Sequence, residues 1–197
     1  HRSEEDALRA DSIRRSEMAR REQREGGFSE DDFLKAAGAR MGFQRPADTR
    51  RPFELLNKTN QFNLNGRRLD EAGWHRYLDQ EGAFLLVVDY EDRYARLGQI
   101  AVLLGVASDD DLRLDHWVMS CRAFSRRIEH QCLRFVFDTF AVDHIGLEYD
   151  PTPRNQPLQE FLTQTLGYTP EAGRLRLTRQ RFDESAPPLF HAVEARS

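Results

Sequence analysis

Three consecutive runs between Ala83 and Cys121 most constrain this chain: AFLLVVDYED, RLGQIAVLLGVA and DLRLDHWVMSC. Each is strand-like, and the charged and small residues between them are those of turns. Local connections of this kind make an antiparallel meander. A different period follows at once. Ile128, Cys132, Phe135, Val136 and Phe140 recur on one helical face, with Ser125 expected as the cap. A meander feeding an amphipathic helix calls for an α/β domain in which helices cover one sheet.

The flanking segments extend this pattern. Residues 3–25 lack Gly and Pro, are dense in helix formers and carry few apolar positions, which reads as a polar linker helix stopped by Gly26 and Gly27. Ser29 then caps a short helix that ends at Gly38. Residues 1–38 are therefore expected to be a helical connector and residues 39–197 a compact domain. ARMGFQRP reads as a strand stopped by Pro46. A helix through Phe53, Leu55 and Leu56 toward Asn60 follows, capped at Asp48 or Thr49, and a second begins after Asp70. HIGLEYD is a short strand. Asn155 opens a helix closed by Gly167, and GRLRLTRQ and PLFHAVEA read as final strands.

Composition narrows the function classes. The 29 basic and 33 acidic residues give a net charge of -4, which excludes a whole-molecule basic field for nucleic acid. No apolar run approaches the ~20 residues that span a bilayer, so no membrane partner is expected. The first residues show no secretory pattern, and two cysteines make neither a disulfide framework nor a zinc site; the cytoplasm is the expected compartment and no metal is expected. Only Lys35 and Lys58 are lysines. An arginine excess of that kind reflects genome composition and is given no functional weight. The chain begins with His1 rather than Met and is expected to be an excised part of something longer.

The element order, strand, two helices, three antiparallel strands, helix, strand, helix and final strands, is also that of the GNAT acyltransferase fold. Asn155 to Tyr168, NQPLQEFLTQTLGY, resembles the late helix of that fold and its terminal Leu-Gly-aromatic turn. Three further segments carry a sharper likeness: NKTNQFNLNGRR (Asn57 to Arg68), VMSCRAFSRRIE (Val118 to Glu129) and EYDPTPRN (Glu148 to Asn155). Together they resemble the C-terminal half of the FkbH-like proteins, which join a HAD-type phosphatase-like domain to a GNAT-like domain. The resemblance implies transfer of a glyceryl unit derived from 1,3-bisphosphoglycerate to the thiol of an acyl carrier protein in polyketide biosynthesis. It implies no tightly bound cofactor, with the carrier's phosphopantetheine as the acceptor arm. The partners implied are the carrier protein and a HAD domain. The D-x-D-x-T/V nucleophile motif of that domain is not found in this sequence, and the polar N-terminal helix would be the connector following it.

Cys121 is the candidate nucleophile. It ends a strand, precedes Arg122 and a loop into a helix, and a thiolate there could accept an acyl group as a thioester. A buried small residue is the competing reading. Cys132 falls mid-helix on the apolar face and reads as core. Arg122, Arg126 and Arg127 surround the expected helix start, where backbone N–H groups and guanidiniums can hold a phosphate. In acetyl-CoA-using GNAT enzymes this loop reads R/Q-x-x-G-x-G/A. Here Ser125 and Arg127 replace the glycines, which disfavours ordinary coenzyme A binding. Asn60, Gln61 and Asn63 belong to an amide cluster that is a poor helix interior and can line a site. Solvated arginines and a helix C-cap are the competing readings of these two groups. The resemblance adds Asn155 to the substrate-binding set and Tyr149 as a candidate acid toward a leaving thiolate. The general base stays unresolved. His116, five residues before Cys121 on one strand, is ~17 Å away and too far. His144 lies at the end opposite the thiol if its strand runs parallel, and Glu148, Tyr149, Glu129 and His130 are the nearer options. Two alternatives to carrier-directed glyceryl transfer remain: a conventional acetyl-CoA-dependent GNAT acyltransferase, and a non-catalytic docking module for the carrier protein.

Overall fold

The structure, a computed structural model, describes residues 29–108 and 111–196. The helix expected over residues 3–25 lies outside the described residues, as does most of the expected connector. Its last part is α1, Glu30–Ala37. The Ser29 hydroxyl accepts the Asp32 N–H at 3.1 Å, and Gly38 closes the helix in the left-handed region at φ +58. α1 is packed onto the domain through Leu34 and Ala37, both buried.

The remaining elements follow in order: β1 (Arg40–Gln44), α2 (Arg50–Lys58), β2 (Phe62–Asn63), α3 (Glu71–Leu78), β3 (Ala83–Glu91), β4 (Arg96–Ala107), β5 (Leu112–Met119), a single 3-10 turn (Cys121–Ala123), α4 (Ile128–Phe140), β6 (His144–Tyr149), α5 (Gln156–Leu166), β7 (Gly173–Thr178), α6 (Arg179–Ser185) and β8 (Ala192–Arg196). They build one mixed eight-stranded sheet in the order β7-β6-β5-β4-β3-β1-β8, with β2 set against β5. The expected α/β class, a mixed sheet flanked by helices, is what the chain adopts. β3, β4 and β5 form the antiparallel meander, β5 and β6 run parallel, and β1 and β8 run parallel at one edge.

Alternation along the strands splits the core between the two sheet faces. Leu86 and Val88 of β3 pack with Ile128, Leu133, Val136 and Phe137 of α4, Leu158 and Leu162 of α5 and Phe182 of α6. Leu85 and Val87 point the other way, toward Leu56 of α2 and Trp74 and Tyr77 of α3. Each such buried aliphatic side chain contributes about 1.5–3 kcal/mol relative to exposure. Asp70 caps α3 by accepting the Gly73 N–H at 2.6 Å, as its position predicts.

Two local expectations are corrected. The residue preceding α4 is Arg127 rather than Ser125. Both have positive φ, 64 for Ser125 and 56 for Arg127, and no side chain caps the helix. The GRLRLTRQ strand ends at Thr178, whose hydroxyl accepts the Arg181 N–H at 3.2 Å and starts α6, a helix the alternating Arg pattern conceals.

The feature that positions the site is a splay in the sheet. β5 and β6 pair only at Arg113 with Gly146 and Leu114 with Leu147, although β5 continues to Met119 and β6 to Tyr149. The segment after α2 enters the gap. Phe62 pairs with Met119 and Asn63 with Val118. The Leu64 N–H donates to the Trp117 carbonyl at 2.9 Å, and its carbonyl accepts from the Asp150 N–H at 3.1 Å. The Asn65 amide donates to the Asp115 carbonyl at 2.8 Å and the Glu148 carbonyl at 2.9 Å, bridging the two strands. Backbone groups that the splay would strand are thus satisfied from a third segment.

Candidate active site

A cleft of about 410 Å³ lies between one face of α2, the turn that leaves it, and the end of β5. Arg51, Glu54, Leu55 and Lys58 supply the α2 wall at the i, i+3, i+4, i+7 spacing of a single helix face. Asn60 and Gln61 form the turn side, and Ser120, Cys121 and Arg122 the strand-end side. Two larger troughs, along α5 and at α6, hold neither cysteine nor histidine. The cleft is weakly cationic: Arg51, Lys58 and Arg122 face the one carboxylate of Glu54, which Lys58 pairs at 3.1 Å.

Cys121 is exposed at this cleft. It opens the 3-10 turn, and the turn is fastened to the sheet by the Ser120 N–H, which donates to the Ile100 carbonyl at 2.8 Å. α4 begins only at Ile128, so the thiol stands on a single 3-10 turn and not at a helix start. Arg122 reaches back toward the Ser120 hydroxyl at 3.3 Å. Cys132 is fully buried, as the apolar stripe predicts. Its thiol pKa is pushed well up by burial, with the nearby Glu129 carboxylate acting in the same direction.

The amide cluster divides in two. Asn60 and Gln61 are exposed and line the cleft. Asn63 is buried, and its side chain is consumed by backbone: its amide donates to the Thr59 carbonyl at 3.0 Å and its oxygen accepts the Gly66 N–H at 2.8 Å. Asn57 likewise bonds the Phe53 and Leu69 carbonyls and the Leu69 N–H. Asn155 is fully buried beneath the same insertion. Its amide donates to the Asn63 carbonyl at 2.9 Å and the Asp150 carbonyl at 3.0 Å, and its oxygen accepts from the Thr152 N–H at 2.8 Å and the Gln159 amide at 2.7 Å. Asn63 and Asn155 are therefore placed as framework of the inserted segment rather than on the cleft wall.

The structure does not bring Arg126 and Arg127 into the cleft with Arg122. Arg126 folds inward, donating to the Arg122 carbonyl at 2.9 Å and pairing with buried Asp92 at 3.4 Å. Arg127 pairs with Glu30 at 2.9 Å and Asp31 at 2.8 Å of α1 and donates to the Pro188 carbonyl at 2.8 Å. The Arg127 guanidinium joins the start of α4 to α1 and to the segment before β8. Ser125 and Arg127 nevertheless hold the positive φ that glycine would supply in that loop.

Tyr149 is buried at the end of β6. Burial, and then the neighbouring Asp150 carboxylate, raises its phenol pKa. The inserted 62–65 segment pairs with β5 and meets the chain at Asp150, and Tyr149 does not line the cleft. Among the residues weighed as general base, Glu148 is held by Arg174 at 2.8 Å. His144 stands at the opposite end of β6, as the parallel pairing requires. His116 is buried, and burial pushes its pKa down to about 4. The α2 wall is what residue-by-residue reading missed; its spacing was legible, but nothing local said that this face looks onto Cys121.

No group of three or more metal-ligating side chains occurs among the described residues, and no helix among them is long and apolar enough to cross a membrane. No protein-family model matches the chain, and no curated protein matches it. Among solved structures, the ribosomal-protein-S18-alanine N-acetyltransferase of Escherichia coli is similar at a TM-score of 0.46 and 11% identity, over 70% of this chain and 94% of that one.

Proposed function

We propose that this is an acyl-transfer domain working through Cys121, and that its reaction is the passage of a glyceryl unit to the thiol of an acyl carrier protein. The observation that carries the reading is the meeting of Asn60 and Gln61 with Cys121 and Arg122 in one cleft. These residues come from two segments remote in sequence, and the likeness to FkbH-like proteins rests on those same two segments and on Glu148 to Asn155.

The chemistry asks little of the protein. The Cys121 thiolate adds to the carbonyl carbon of an acyl phosphate, a C–S bond forms, and the C–O bond to phosphate breaks as phosphate leaves with the electron pair. From 1,3-bisphosphoglycerate this gives a 3-phosphoglyceryl thioester, whose phosphoester is hydrolysed by water at the HAD partner, releasing the second phosphate. The phosphopantetheine thiol then attacks the thioester, releases the Cys121 thiolate and passes its proton to solvent. The second step exchanges one thioester for another and is nearly isoenergetic, so positioning and charge stabilisation dominate. The cations around the cleft suit an anionic donor and an anionic pantetheine arm.

Carrier loading tests the proposal. With 1,3-bisphosphoglycerate generated in situ, and a HAD phosphatase-like partner supplied, wild type is expected to put glyceryl on the carrier protein and Cys121→Ala is expected to lose at least about 100-fold in rate. Loading at the wild-type rate by Cys121→Ala contradicts a covalent route and leaves a module that docks the carrier without chemistry. Transfer from acetyl-CoA alone would instead favour a conventional acetyltransferase.

A further inference from the structure

Addition of a thiolate to a carbonyl places negative charge on the carbonyl oxygen, and the cleft needs a donor where that charge develops. Asn60 is placed for this. β2 sets Phe62 against Met119 and Asn63 against Val118. Asn60 lies two residues before Phe62 and Cys121 two residues after its partner Met119, and both line the cleft.

The orientation of the Asn60 amide follows from its partner. Arg68 donates through one terminal nitrogen to the Leu56 carbonyl at 2.7 Å and the Thr59 carbonyl at 3.0 Å, closing the end of α2. Its other terminal nitrogen contacts the Asn60 side-chain oxygen. A guanidinium has five N–H donors and no acceptor, so the atom of Asn60 that faces it must be Oδ1. The opposite atom, Nδ2, then carries two N–H groups that no residue among those described accepts.

We propose that Asn60 donates an N–H to the oxyanion formed at Cys121, and that Arg68 is the positioning residue that aims it. The proposal rests on the transfer reading above. When Sγ adds to the acyl carbon, the π pair moves onto oxygen and is held by Asn60 Nδ2. When the C–O bond to phosphate breaks, the pair returns and phosphate departs. Nothing is consumed, and Asn60 keeps its protons throughout.

Single-turnover acylation of the full chain by 1,3-bisphosphoglycerate generated in situ, followed by intact mass, tests it. Asn60→Asp keeps size and still accepts from Arg68, so it preserves the α2 closure while removing the N–H. Acylation is expected to slow by about 100-fold with an unchanged half-saturating donor concentration. Asn60→Ala should slow it similarly. Arg68→Ala is expected to slow the wild-type reaction by roughly tenfold and to have a clearly smaller effect in the Asn60→Asp background, where the N–H it aims is already gone. Acylation of Asn60→Asp within about threefold of wild type overturns the proposal. So does an Arg68→Ala effect of the same size in both backgrounds. A wild-type chain that forms no adduct overturns the transfer reading and this proposal together, whereas a wild-type adduct with an indifferent Asn60→Asp overturns this one alone.

Discussion

His116 shows how a residue's surroundings decide its role. It sits on the α2–α3 face of β5, edge-on to Tyr77 with ring centroids 6.0 Å apart, and burial lowers its pKa to about 4. Asp115 opposes that shift and Arg67 adds to it. An unfolded histidine titrates near 6.5, so below that pH the unfolded chain binds a proton that the folded chain refuses. Stability is therefore unaffected above about pH 6.5 and falls as pH drops toward 4; the loss from this residue at pH 5 is about 2 kcal/mol. Burial shifts His191 in the same direction. Replacing His116 by Phe should narrow the stability gap between pH 7 and pH 5 by about that amount in urea unfolding; an unchanged gap would mean that the ring is charged in the fold. Such a histidine is a core residue with an acid-sensitive cost.

At the scale of elements, the inserted segment 62–66 is held by asparagines acting as backbone. Removing the Asn155 side chain leaves the buried Asn63 carbonyl and the half-buried Thr152 N–H and Asp150 carbonyl without this partner. Asn155→Ala should lower the unfolding free energy by roughly 3 kcal/mol, read as a lower denaturant midpoint at constant slope. A loss below about 1 kcal/mol would show that water replaces the amide. This network also marks the limit of reading from sequence. The meander, the α3 cap at Asp70 and the closure of α5 at Gly167 were legible because each rests on contacts within a few residues. The two-residue β2 was not, because it exists only through pairing with β5 and through Asn65 bonds to the carbonyls of Asp115 and Glu148. The same non-locality made Asn63 and Asn155 resemble binding residues: an amide that satisfies a remote backbone and an amide offered to a ligand are the same letter. Asn60 and Gln61 differ from them only in facing the cleft.

For the molecule as a whole, the arrangement concentrates cations at one mouth of a chain with a net charge of -4. Two arginines outside the cleft serve the fold: Arg127 ties the start of α4 to α1, and Arg179 contacts Asp138 and the Phe137 carbonyl at the other end of α4. An acidic carrier approaching the cleft would meet Lys58 and Arg51 first on the α2 wall. Loading at subsaturating carrier should fall about tenfold between 0.05 M and 0.5 M salt, as the screening length shrinks below the span of the cleft. Lys58→Ala should raise the carrier concentration needed for half-maximal loading while leaving the maximal rate within about twofold. Salt-independent loading would place the docking surface elsewhere.

The central claim is that the acyl group passes through Cys121, and peptide-level mass spectrometry addresses it most directly. After wild type is exposed to 1,3-bisphosphoglycerate generated in situ and quenched in acid, an acyl mass should map to the peptide containing Cys121. It should be absent from Cys132, be discharged by neutral hydroxylamine, and disappear when carrier protein is added before the quench. A glyceryl-loaded carrier with an unmodified Cys121 peptide at every time point would contradict the account.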